Sequence, residues 1–364
     1  MRLALTETDM AANTHRQVEF PIIDSHIHLY TASQLQNLAW APSLPEGHVL
    51  KRQNSVAEYR SASRSQPSLV GFVFVETDRK SLLSEDGWQH PLEEISFLRR
   101  IKSGRPTEGE GHDPKDKEQL LGVVAWAPTA AEGHSLQSYL EQSQTAQDLR
   151  ATNGLVRGFR YLVQDKPKGH MLESAMWNGL LLLEQAGAKT FDLGVDFRQG
   201  GHWQLTEAVQ MLQKFYAQST GSLKIVINHL CKPNLRPDAT QDDKAKWEHD
   251  VRALADLPTT YMKLSGLFSE LQTQESGEPL PISDLLECTR FETSVIFDNF
   301  GPENIMFGSD WPVCNVGGPG PEKSWSHWVN FVAAVLEDRG LSDAEKARVW
   351  AGTAKEVYEL DVNL

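Results

Sequence analysis

Eight short apolar runs recur along the chain, and their spacing constrains the fold more than any other feature. They fall at 20–24, 69–75, 121–126, 156–161, 190–196, 223–229, 260–265 and 304–309, and most are continuous rather than alternating. Continuous runs mark strands buried on both faces, the condition of a parallel sheet covered by helices. Between them lie helical patterns at 173–186, 205–218, 242–257 and 283–299. In one of these, Val209, Leu212, Phe215 and Tyr216 recur at three- and four-residue spacing. Eight strands alternating with helices predict an α/β fold, a closed (β/α)8 TIM barrel, with an open doubly wound sheet as the alternative. No GxGxxG follows the first strand, which weakens a dinucleotide-binding version of the open sheet.

The reading places an N-terminal arm at 1–18 and one barrel domain at 19–364. The first two strand-to-strand intervals are roughly 50 residues against about 35 for the next four, and such excess goes into loops, here extended ones at the C-terminal face. One insertion is 31–53, with Trp40, Pro42, Pro45 and Gly47; another is the Pro/Gly-rich segment 311–323. The polar stretch 103–119 reads as a disordered surface loop. The tail from 343 to 360 reads as a further helix packed outside the barrel.

Composition narrows the class. The chain has 35 Lys+Arg against 49 Asp+Glu, a net charge of −14, which argues against a general polyanion binder but not against a local basic pocket for a small anion. Three cysteines (Cys231, Cys288, Cys314) are too few for a disulfide framework and suit a reducing compartment. No run approaches the length of a spanning helix, and residues 1–17 lack the apolar core of a secretory signal. The expectation is a cytoplasmic protein with no nucleic-acid or membrane partner; a homo-oligomer stays open.

In such barrels the chemistry sits at the C-terminal strand ends. The first strand ends in Asp24-Ser25-His26-Ile27-His28 and the second in Glu76-Thr77-Asp78. The fourth delivers Arg160, the fifth Asp192 and Asp196, the sixth Asn228-His229, the seventh Lys263 and Ser265, and the eighth Asp310. Ionisable groups gathered at the ends of apolar strands are what an active-site rim requires. His26 and His28, two residues apart, point to one side and suit a metal or a polarised carbonyl. The structural alternatives are that His26 packs, that Asp310 caps a turn, that Arg160 pairs with Asp192 or Glu76, and that Lys263 pairs with a carboxylate.

The runs Ile22-Ile23-Asp24-Ser25-His26-Ile27-His28, Asn228-His229-Leu230-Cys231-Lys232-Pro233, Lys263-Leu264-Ser265-Gly266-Leu267 and Met306-Phe307-Gly308-Ser309-Asp310-Trp311-Pro312 resemble the amidohydrolase superfamily. More narrowly they resemble its branch of sugar-lactone and dicarboxylate-lactone hydrolases, of the L-rhamnono- and L-fuconolactonase kind. The resemblance runs from residue 22 to about 312 and implies a (β/α)8 barrel, in agreement with the strand count. It implies His26, His28 and Asp310 as ligands of one divalent metal, zinc first, with Glu76 as a further ligand; metal-free action is equally open. Strand four carries Arg160 where metal-rich members have a carboxylated Lys or a Glu. Strand five offers no His before His202, so a binuclear site is not expected.

Lactone hydrolysis needs a base for water, positive groups for the oxyanion, and orientation of a hydroxyl-rich ring. The expected base is Asp310. His229 polarises the carbonyl or protonates the leaving alkoxide, and His26 and His28 stabilise the oxyanion. Arg160 would fork onto a carbonyl, carboxylate or hydroxyl, and Glu76 would accept from a hydroxyl. Trp126 and Trp311, with Trp40 and Trp203, would close over a sugar ring, and Asp196, His202 and Gln204 favour a polyhydroxylated substrate. The expected function is opening of a sugar-acid lactone such as L-rhamnono- or L-fuconolactone. The rivals are a metal-dependent decarboxylase acting on an aromatic or unsaturated carboxylic acid and a non-catalytic sugar-binding barrel. A metal-dependent amidase or phosphotriesterase is disfavoured by the missing second-site ligands.

Overall fold

The computed structural model describes residues 17–274 and 278–364, so nearly all of the expected arm lies outside the described residues. Eight strands form one sheet in the order of the chain: β1 (Ile22–Ile27), β2 (Leu69–Val75), β3 (Leu120–Trp126), β4 (Val156–Arg160), β5 (Thr190–Leu193), β6 (Lys224–Ile227), β7 (Thr260–Leu264) and β8 (Ile305–Phe307). All seven consecutive pairings are parallel. The eighth junction is made by the segment just past β8. Ile27 bridges Trp311, the Asp310 N–H donates to the His26 carbonyl at 2.9 Å, and the His28 N–H donates to the Trp311 carbonyl at 2.8 Å.

Among the described residues twelve helices surround the strands: α1 (Val56–Ser63), α2 (Gln89–Ser103), α3 (Ser135–Gln142), α4 (Thr145–Arg150), α5 (Ser174–Ala186), α6 (Phe197–Gly200), α7 (Trp203–Tyr216), α8 (Gln241–Ala255), α9 (Ile282–Phe300), α10 (Ser324–Asp338), α11 (Asp343–Ala347) and α12 (Thr353–Val357). Their ends follow local chemistry. Thr240 caps α8 by accepting the Asp243 N–H, and Gly187, at φ 87°, stops α5 with a left-handed residue. Glu184 near that stop holds the turn before β6, accepting from the Ser219 hydroxyl at 2.7 Å and the Ser222 N–H at 2.9 Å.

Strand parity sorts the core into two parts. Phe72, Phe74, Val123, Ala125, Phe159, Phe191, Ile225 and Ile227 point out and pack under the helices. Ile23, Val73, Val75, Val124, Val226 and Met306 form a separate cluster inside the barrel. Gly158 belongs to the inward set because a Cβ there would stand 1.9 Å from Thr190 Oγ1.

Two expectations change. The tail does not pack outside the barrel: Ala351, Ala354, Val357, Tyr358 and Leu360 join the interior cluster and close its N-terminal end. The strands there carry Val and Ile inward, and only an apolar plug can cover them without water. The stretch 103–119 is not a disordered loop. Several of its charges are paired: Asp113 and Asp116 with Arg60, and Glu110 with Arg100 and His112. Its polar composition reflects ion pairs to α1 and α2. Among the described residues no helix is long and apolar enough to cross a membrane.

Candidate active site

The C-terminal strand ends converge as the spacing predicts. His26 and His28 bring their Nε2 atoms within 3.2 Å of each other. Asp310 Oδ1 lies 3.7 Å from His26 Nε2, 3.4 Å from His28 Nε2 and 3.7 Å from His229 Nε2. One carboxylate oxygen therefore faces three imidazoles, all in buried positions. Asp24, by contrast, turns outward from β1 and accepts from Tyr59 Oη, Trp325 Nε1 and the Ser309 N–H.

Hydrogen-bond partners assign the tautomers. His28 Nδ1 meets the Val75 carbonyl at 2.8 Å, so it carries the proton and leaves the Nε2 lone pair facing Asp310. His229 Nδ1 lies 2.8 Å from Ser265 Oγ. His26 Nδ1 faces Lys263 Nζ at 3.1 Å, and Lys263 pairs with Asp192 at 2.6 Å. Asp192 also accepts from Asn228 and from Tyr358 Oη of the tail plug.

Burial pushes His229 down to about 3, helped by the charges of Lys232, Lys263 and Arg160 and opposed by Asp310. Burial also drives His26 well below the usual imidazole range, with Lys263 adding to it. Burial alone would raise the Asp310 carboxyl, but His229, His28 and Lys232 outweigh it and hold the group below its ordinary value. At neutral pH the site thus holds an ionised Asp310 carboxylate beside His26 and His229 rings that resist protonation.

This donor set fits one divalent cation. Tetrahedral ligands about 2.0–2.1 Å from zinc stand about 3.3–3.4 Å apart, close to the 3.2–3.7 Å found here. Among the described residues His26, His28 and Asp310 form a group whose donor atoms lie together. One feature is discordant: a metal-bound His ordinarily donates its far N–H to an acceptor, whereas the far nitrogen of His26 faces a lysine. Glu76 is not free to join. Its Oε1 receives Arg160 Nε at 2.5 Å and its Oε2 receives the Asp78 N–H at 2.6 Å, the structural alternative foreseen for Arg160.

Above the imidazoles lies a cavity of about 220 Å³, lined by His28, Trp40, Leu50, Thr77, Asp78, Arg160, Leu162, Gln164, Gly194, His229, Lys232, Asp310 and Val313. That is small even for a small-molecule site. Of the residues expected to touch substrate, Arg160 and Trp40 line it and Glu76 stands behind Arg160. The others lie elsewhere. Trp126 packs on Tyr139 and Trp311 on Tyr59, because both turn toward the helix layer. Asp196 caps α6 by accepting the Gln199 N–H, and its other oxygen lies 3.6 Å from Lys232 Nζ. His202 is exposed at the start of α7.

Gln164 and Leu162 were readable in principle, since they continue the inward parity of Arg160. Lys232 was not. It enters because His229, Leu230, Cys231 and Lys232 all have left-handed backbone, with φ of 56°, 51°, 59° and 49°. Asp78 and Asp310 are left-handed too, at 53° and 58°. Each such non-glycine residue costs about 1–2 kcal/mol, and strain of this kind gathers at functional sites.

A family model described as Amidohydrolase matches residues 114–360. The L-rhamnono-gamma-lactonase of Scheffersomyces stipitis is 30% identical over 356 residues, covering 94% of this chain and 99% of that protein. The L-fucono-1,5-lactonase of Burkholderia multivorans is 29% identical over 249 residues, 67% of this chain and 73% of that one. Among solved structures, an amidohydrolase from Burkholderia multivorans with bound Zn superposes with a TM-score of 0.67 at 24% identity, covering 93% of this chain and 99% of that one. With the barrel, the strand-end imidazoles and the last-strand aspartate in place, these matches show that the chain belongs to the amidohydrolase family.

Proposed function

We propose that this chain hydrolyses the lactone of a sugar acid, with Asp310 as the base that activates water. The observation that carries the reading is the convergence of three imidazole Nε2 atoms on one Asp310 oxygen, at 3.4–3.7 Å, with His28, His229 and Asp310 on the wall of a small cavity. The two relatives named above are lactonases, L-rhamnono-gamma- and L-fucono-1,5-.

A water molecule beside Asp310 Oδ1 and the His28 Nε2 lone pair has acceptors for both its hydrogens and keeps a lone pair for the carbonyl carbon. Asp310, ionised well into acid, takes the proton as the water oxygen attacks. The ring C–O bond then breaks, and the same carboxyl returns a proton to the ring oxygen. His229 stays neutral in this scheme and orients Asp310; with its ring pushed down to about 3 it is a poor proton donor. Arg160, held by Glu76, presents its remaining N–H groups to ring oxygens.

A divalent cation, zinc first, would be held by His26, His28 and Asp310, and when bound it supplies carbonyl polarisation and a more acidic water. The test is proton release from a panel of fresh aldonolactones, with and without prior chelation. Turnover above spontaneous opening supports the reading, and its loss on chelation makes the cation essential. No turnover on any lactone, with carbon dioxide released from an aromatic acid, would replace it with the decarboxylase.

A further inference from the structure

Resting on that reading, we propose that Lys232 is the cationic clamp of the cavity, binding the oxyanion as it forms and then the carboxylate of the opened sugar acid. Among the described residues two cations line the cavity, Arg160 and Lys232. The Arg160 guanidinium is committed, donating from Nε to the Glu76 carboxylate and from Nη2 to the Glu76 carbonyl. The Lys232 ammonium is held only loosely, 3.6 Å from Asp196.

The backbone goes to unusual lengths to deliver it. Four consecutive left-handed residues carry the chain from His229 to Lys232, a full turn of the wrong hand for L-residues. Leu230 and Cys231 are buried and act as the anchor, with Trp247 Nε1 donating to the Leu230 carbonyl at 2.9 Å. The turn closes through Lys232 N–H to the His229 carbonyl at 2.8 Å, and the Arg198 N–H ties the Lys232 carbonyl at 3.2 Å. The result puts an imidazole and an ammonium, three residues apart, on the wall of one cavity.

The reaction explains why a fixed cation belongs there. Water adds to a neutral lactone, the ring C–O bond breaks, and the new carboxyl loses a proton, so the ligand passes from charge 0 to −1. A cation on the wall therefore gains most in the transition state and in the product, and little in the substrate.

The experiment uses Lys232→Met and Lys232→Asn, the latter because Asn tolerates left-handed backbone. Expected are a fall in kcat of about 10²–10³-fold, as for loss of an oxyanion donor, with KM changed less than about threefold. Inhibition by the open-chain aldonate should weaken at least tenfold, with an unchanged melting temperature. Unaltered kcat and aldonate inhibition would overturn the assignment. Should both variants fail to fold, wild-type calorimetry decides: the aldonate should bind at least tenfold more tightly than its neutral amide, and equal affinity overturns the clamp. A protein that prefers the aldonate yet opens no lactone would keep the clamp and sink the lactonase. One that opens lactones and binds acid and amide alike would do the reverse.

Discussion

The two ends of the barrel are built from the same strands and differ in nearly everything else. At the N-terminal end Ile23, Val73, Val124 and Met306 meet Ala354, Val357 and Leu360 of the tail, an apolar plug in which Glu359 has left-handed backbone. At the C-terminal end Asp310, His28, His229, Arg160 and Lys232 crowd a cavity wall, and Asp78, Asp310 and the 229–232 turn are left-handed. Among the described residues, six of the eight left-handed non-glycines lie at that end or in the turn that forms it. The plug needs only apolar volume, whereas the site needs groups held where folding alone would not put them. Stability is gathered at one end and consumed at the other.

That contrast breaks if a substitution at the site unfolds the protein or one at the plug stops the chemistry. The largest effect is expected from Asp310→Asn: kcat lower by about 10²–10⁴-fold, with little change in melting. Because the Asp310 carboxyl is held low, wild-type kcat should stay flat as pH falls through the ordinary carboxylate range and decline only below it. A decline centred near pH 4 or above would break that assignment.

Asp192→Asn strikes the layer where the two ends meet. It leaves Lys263 buried without its partner, and removing one member of a buried pair costs about 3–5 kcal/mol. Chemical denaturation should show that loss together with reduced kcat, since Lys263 also holds His26. Leu360→Ala in the plug should cost about 2–3 kcal/mol and leave kcat and KM within twofold. A larger kinetic effect would show that the plug shapes the site through Tyr358.

The smallest effect is expected at Glu184, a charge that serves structure alone. Its bonds to Ser219, Thr220, Ser222 and Leu223 outweigh burial and lower it to about 2. A depressed carboxyl stabilises the fold above its unfolded value and loses that contribution as pH falls toward 2. Glu184→Gln should therefore cost about 1–2 kcal/mol at pH 7 and progressively less below pH about 4, as denaturation at several pH values would show.

The same contrast explains what could be read without coordinates. Strands β2, β3 and β4 fall within a residue of the apolar runs, because burial on both faces writes itself into composition. β5 and β6 stop earlier than their runs, at Leu193 and Ile227, since the chain must leave the sheet before Gly194 and the left-handed turn. His26, His28, His229, Arg160 and Asp310 were legible as polar residues at apolar strand ends. Lys232 was hidden by a backbone turn that no propensity foretells, and Trp126 and Trp311 misled because parity breaks down where strands end. The tail was misread because amphipathic helices cover a barrel's end as readily as its side.

The junction between β8 and β1 carries a consequence for when activity arises. Ser309 N–H reaches the Asp24 carboxylate across 285 residues of sequence, and Asp310 binds His26 through its backbone while facing it through its side chain. A nascent chain still short of residue 310 holds the three imidazoles of the site but neither the proposed base nor the last closing bonds. Closure of the last strand on the first and arrival of Asp310 at the imidazoles then rest on the same residues, so turnover would report that the barrel has closed.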